Sequence, residues 1–194
     1  MPTAPHPLQD YIQKINDPRR DIIMAIYQRY HWQFHYAPGA THNHQAWPGG
    51  YADHIADTLA ISEAYANADK ALLATTGADL GYSPDSASIA LFLHDIEKPF
   101  KYGPSDCGES NAWRERFAAL QSWELVKKEI LQKLCAEFGL VLTNDEINAL
   151  HYTHGEGSDY NGKMRRQTPL AAHVHICDTA SARKFPHLHV TKQR

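Results

Sequence analysis

Apolar side chains recur at helical spacing along almost all of this chain, and strand-like alternation is scarce, so the sequence is restricted to packing helices on helices. Ile22, Ile23, Ile26, Tyr27 and Tyr30 form one stripe, and Ile55, Leu59, Ile61 and Tyr65 form another after the Gly49-Gly50 pair. A third predicted helix runs from about Pro84 through Ile89, Leu91, Phe92 and Leu93. It is expected to stop near Lys98, because Pro99 pushes the residue before it out of the helical region. The segment from about Asn111 to Phe138 reads as one long amphipathic helix with Gly139 as its stop. Thr143 and Glu146 are a reciprocal capping pair opening the next helix, which is predicted to end where Gly155 follows His154. Thr168-Pro169 opens the last helix, to about Arg183, after a polar loop over residues 155 to 167. The expected fold class is all-α, one helical bundle of about six or more helices in a single domain over residues 1–194.

The bulk numbers narrow the function classes. At 43% apolar and 21% charged residues the chain is globular in composition, and 194 residues bury a core without disulfides. A net charge of −3 gives no general attraction to nucleic acid or acidic membranes, so long nucleic acid is a disfavoured partner. Cys107, Cys135 and Cys177 are odd in number and lack C-x-x-C spacing, which argues against both a disulfide framework and a thiolate zinc site. Met1 to Asp10 lacks the pattern of a leader, and no segment has the length of a membrane span, so a cytoplasmic, membrane-free protein is expected.

Histidine is the exception to this ordinary composition: there are 13, five of them between His31 and His54 and six between His151 and His189. The chemistry begins at His94-Asp95, which ends the apolar run Ile89 to Leu93. An ionised carboxylate emerging from a core helix costs several kcal/mol, roughly, unless it has a partner. The C-terminal end of a helix also favours a cation. A lone His-Asp pair is equally well explained as a surface ion pair or a cap, so other groups must decide. His54 lies just inside the helix opened by Gly49-Gly50, and Asp178 sits mid-helix among Ala171, Ala172, Val174, Ile176 and Ala180, where packing alone would not choose a carboxylate. Two imidazoles and two carboxylates suit one divalent metal ion, with Mn, Fe, Co, Ni, Zn and Mg not distinguished.

The segments Gly-Gly-Tyr-Ala-Asp-His54, Leu-Phe-Leu-His94-Asp95-Ile-Glu-Lys98 and Cys-Asp178-Thr-Ala resemble the ordered His…His-Asp…Asp signature of the HD superfamily of metal-dependent phosphohydrolases. The resemblance covers about residues 40 to 183, leaving an N-terminal helix and a short C-terminal tail outside that core. It is nearest to the HD-type exoribonuclease branch, through Asn43-His44-Gln45 ahead of His54, Thr153-His154-Gly155, and His175-Ile-Cys-Asp178. The resemblance implies a helical fold, a metal held by His54, His94, Asp95 and Asp178, and phosphomonoesterase or phosphodiesterase action on a small, nucleotide-like phosphate ester. Members with two metals carry a further histidine where this chain has none between Lys98 and Leu150, so one ion is expected. A second ion at His151 and His154, three apart on a helical face, is the alternative.

Within that reading Asp95 orients the attacking water, while Lys98 and His154 neutralise charge on the phosphoryl group or protonate the leaving oxygen. A bound cation would lower the pKa of its water from 15.7 toward about 7. His151, Lys163 and Arg165, with Arg166, are candidate substrate contacts; the bland reading of the last three is a solvated loop. Glu97 is read as a base, a water-holding group or a solvated helix end. His175 is expected to face the site and orient a ligand. His31, His35 and His42 are assigned to an aromatic stretch that closes a pocket or packs a core edge, and His187 and His189 to an exposed tail. The rival from another reaction class is an HD-fold di-iron oxygenase acting on a phosphonate or polyol, which needs more histidines than the middle of this chain supplies.

Overall fold

The computed structural model describes residues 6–189; the leader reading of Met1 to Asp10 falls partly outside them. In chain order the helices are α1 (Pro7–Gln13), α2 (Arg20–Arg29), α3 (His31–Tyr36), α4 (Gly50–Leu73), α5 (Pro84–Leu93), α6 (Lys98–Lys101), α7 (Gly108–Leu120), α8 (Trp123–Phe138), α9 (Asn144–His151) and α10 (Pro169–Arg183). A 3₁₀ turn at Gly157–Asp159 and an isolated bridge between Asn161 and Met164 shape the α9–α10 loop. The described residues form no named strand, and the fold is all-α. No helix among them is long and apolar enough to cross a membrane.

Three helices form the centre. α4 packs on α10 and α5, α5 also packs on α10, and α9 closes the group against both α5 and α10. Residues 50 to 59 of α4 are all buried, so its first half is enclosed on every side and its polar members, Asp53, His54, Asp57 and Thr58, must find partners inside. One hydrophobic cluster runs from Leu8 to Ala180. In it Phe34 stacks on Phe92 at 5.5 Å and meets Tyr51 edge-on at 4.9 Å, joining α3, α4 and α5 by contacts worth about 0.5–1.5 kcal/mol each beyond area burial.

Local chemistry explains most helix boundaries. Ser83, Thr143 and Thr168 are N-caps whose hydroxyls accept from backbone N–H groups, and Thr143 with Glu146 forms the full reciprocal box. Pro84 and Pro169 occupy the first turns, where a missing N–H is harmless.

Four expectations need correction. The Asn111–Phe138 segment is two helices: Gln121 takes a left-handed φ of 53°, and Ser122 caps α8 through its contact with Leu125 N. α5 ends at Leu93, and Pro99 does not terminate a helix but lies in the first turn of α6, where its ring is tolerated. α9 ends at His151, with Tyr152 as its C-cap, so the chain has left the helix before His154. Of the two C-terminal histidines His187 is exposed as expected, though it stacks on Trp47 at 5.5 Å, whereas His189 is half-buried with Nδ1 2.7 Å from Asp57 Oδ1.

Candidate metal centre

The junction of α4, α5 and α10 gathers four polar side chains. α4 contributes His54 one turn inside its start, the turn after α5 contributes His94 and Asp95, and α10 contributes Asp178 from its middle. All four are buried, and one ligand atom from each lies within 4.8 Å of those of the others. His54 Nε2 is 3.2 Å from His94 Nε2, 3.2 Å from Asp178 Oδ1 and 3.7 Å from Asp95 Oδ2. His94 Nε2 is 3.4 Å from Asp95 Oδ2 and 3.5 Å from Asp178 Oδ1. Ligand atoms about 2.1 Å from a common tetrahedral centre lie about 3.4 Å apart, so the spacing fits a cation.

Hydrogen bonding at the far side of the His94 ring shows why the cluster demands positive charge. His94 Nδ1 lies 2.6 Å from the Leu91 carbonyl, an acceptor only, so Nδ1 carries the proton and Nε2 presents a lone pair to two carboxylate oxygens. That arrangement is repulsive unless Nε2 gains a proton or a metal ion. Without metal, burial opposes charging His94, but Asp95 and Asp178 outweigh it and raise its pKa to about 10. His54 is driven the other way, chiefly by burial and also by the charges of Lys98 and His94. Asp178 resists burial and stays well below the usual carboxylate range through its contacts with the two imidazoles. Asp95 does the same beside His94 and Lys98.

Lys98 reaches back to Asp95, with Nζ 2.5 Å from Oδ2, yet that oxygen has no partner in hydrogen-bond geometry. Burial lowers the Lys98 pKa, and the Asp95 carboxylate more than restores it. His154, with 72% of its side chain exposed, puts Nε2 3.7 Å from Asp178 Oδ2 and 4.0 Å from Asp95 Oδ1. Its pKa is lowered by partial desolvation, against the pull of both carboxylates. No family model, curated protein or solved structure matches this chain.

The other expected residues divide. His151 is exposed and faces Asp159, 3.7 Å away, while His154 faces the cluster. With α9 ending at His151, the helical face expected to pair them for a second ion is not formed. Lys163 and Arg165 are exposed on the loop, and among the described residues their side chains make no hydrogen bond or ion pair with the cluster. Arg166 is exposed too, held through its backbone N–H by Glu156. His175 orients no ligand directly: its Nδ1 is 2.6 Å from the Thr153 carbonyl, so it steadies the backbone immediately before His154. Glu97 has a buried, unpartnered Oε2, and burial together with the Asp95 charge raises its pKa.

Two residues not assigned to the site from sequence also belong to its surroundings. His44 places its ring 5.4 Å from that of His54, and its pKa is lowered to about 4 by burial, then by His54 and Lys98. Lys127 of α8 donates to the Leu150 carbonyl at 3.5 Å, and its charge acts on Glu97 and His154. His44 was visible as part of the stretch before the glycine pair. Lys127 had no signal, since a lysine on an amphipathic helix is the ordinary case.

Proposed function

We propose that the protein is a metal-dependent phosphohydrolase of the HD superfamily, acting on a small, nucleotide-like phosphate ester. The observation that carries this reading is the His94 Nε2 lone pair, fixed by the Leu91 carbonyl and aimed, beside His54, at Asp95 Oδ2 and Asp178 Oδ1. His54, His94, Asp95 and Asp178 would hold one divalent cation. When bound, such a cation acidifies water and polarises a phosphoryl oxygen.

The chain's own residues supply the rest. Lys98 and Lys127 give fixed positive charge near the centre, which suits a phosphate dianion better than a neutral ester. His154 is the exposed imidazole nearest the two carboxylates, and a phosphate dianion bound beside it would favour the protonated ring that hands a proton to a departing oxygen. His44, kept neutral, offers a hydrogen bond on the His54 side without adding charge. Asp95, with Oδ1 toward His154 and Oδ2 toward Lys98, is placed to orient the attacking water between them.

The test is phosphate release from a panel of nucleotides and phosphodiesters with Mn, Co, Ni or Mg added to metal-free protein. Turnover in wild type and none in Asp178→Asn is the expected result. Metal-loaded wild type that releases no phosphate from any of the panel, or equal turnover in Asp178→Asn, overturns the proposal.

A further inference from the structure

Gln45 has an unusual position. It lies in the loop between α3 and α4 with a left-handed φ of 47°, a conformation that costs a non-glycine residue without local compensation, and it is completely buried. Two glycines make room for it. A Cβ on Gly50 would meet the Gln45 carbonyl oxygen at 1.9 Å, and one on Gly39 would meet Gln45 Cβ at 2.9 Å. The Gln45 carbonyl accepts from Gly39 N–H at 2.9 Å, which locks the loop around it.

The side chain held by this loop leads to the metal centre. Gln45 Nε2 donates to Asp57 Oδ2 at 2.9 Å and to Ser181 Oγ at 3.3 Å, and Ser181 Oγ is 3.0 Å from His54 Nδ1. Asp57 and Ser181 are both fully buried. The amide cannot be turned round, because its oxygen would then face the acceptor-only carboxylate of Asp57. Gln45 Oε1 is left without a partner, so the residue serves the centre through its donor end. Ser181 Oγ has two lone pairs, one for the Gln45 donor and one able to accept from His54 Nδ1–H when a cation takes His54 Nε2. That tautomer leaves His54 Nε2 bare toward His94 and Asp178, as a ligand must be.

We infer that Gln45 is a positioning residue for His54, fixing its ring orientation through Ser181, with Asp57 as the anchor of the amide. This inference rests on the metal-centre reading and adds a role outside the ligand set. The left-handed backbone at residue 45 delivers the amide between α4 and α10. Groups that orient a metal-binding histidine typically change metal affinity 10- to 100-fold when removed.

Gln45→Gly separates the two roles of the residue, since it relieves the left-handed backbone while deleting the amide. Cobalt(II) titration, followed by the visible spectrum, gives the affinity; thermal unfolding of the metal-free protein gives the stability. Expected for Gln45→Gly is a loss of cobalt affinity of about 10- to 100-fold in protein whose metal-free unfolding stays cooperative. Ser181→Ala, which breaks the same chain one link later, should lose a similar amount. The double variant should lose little more than either, because both delete one pathway. Nitrogen-15 NMR of the His54 ring in cobalt-free, zinc-loaded protein should show Nδ1–H held in one environment in wild type and broadened in Gln45→Gly. Wild-type affinity in Gln45→Gly, or additive losses in the double variant, overturns the positioning role alone. Wild-type protein that takes up no cobalt overturns the metal-centre reading as well.

Discussion

The His94 side chain shows how a few contacts set the chemistry of the centre. Its pKa of about 10 in the metal-free protein lies above the ordinary histidine value, so the stability it contributes is complete below about pH 6.5 and is lost as pH rises toward 10. A metal ion must displace that proton. Cobalt affinity is therefore expected to rise about tenfold per pH unit between roughly pH 7 and 10, with close to one proton released per ion bound, measured by titration at several pH values and by pH change in unbuffered solution. His154 presents a different case, because its ring is exposed and stands just outside the four-residue group. His154→Ala should keep full metal content by elemental analysis while phosphate release falls by about 10²-fold or more; loss of the metal would place His154 among the ligands.

At the scale of the elements, the position of the α4 start matters most. Gly50 is its first residue and lies four residues before His54, with the Gln45 carbonyl directly against its α-carbon. Gly50→Ala places a methyl group where backbone must move, and a cost of about 3 kcal/mol is expected. That is roughly 6 to 12 °C in Tm for a chain of this size, with metal affinity falling in parallel, both read by thermal unfolding with and without cobalt. The break between α7 and α8 is a contrasting lesson. Apolar periodicity continues through it, and Gln121 adopts the left-handed turn that glycine usually marks, so the break carried no glycine signal and the two helices read as one. At α6 the rule that proline ends a helix was outweighed by the tolerance of the first turn, which allows Lys98-Pro99 to start one.

For the molecule as a whole, the centre ties together helices distant in the chain. His54, Asp95 and Asp178 come from α4, the turn after α5, and α10, so a cation bound to all of them links the three central helices. At a thousand times its dissociation constant, a ligand of the native state adds about 4 kcal/mol. Metal-saturated protein should thus melt roughly 8 to 16 °C higher than metal-free protein, and Asp178→Asn should remove most of that gain in a thermal scan with and without EDTA. The C-terminal stretch takes part as well: His189 on Asp57 and His187 on Trp47 hold it against the loop and helix that carry Gln45 and His54.

The helical class, the caps at Thr143 and Thr168 and the identity of the four converging residues are readable along the chain, because periodicity, capping, a carboxylate in an apolar helix and an ordered motif set are features of the sequence itself. Packing alone determined that His154 and not His151 faces the centre, that His175 steadies backbone in place of a ligand, and that Gln45 reaches His54 through Ser181. Those relations join residues as far apart as 136 positions. Their distances depend on where helices cross and where a turn leaves its axis, and no short stretch of sequence contains that information.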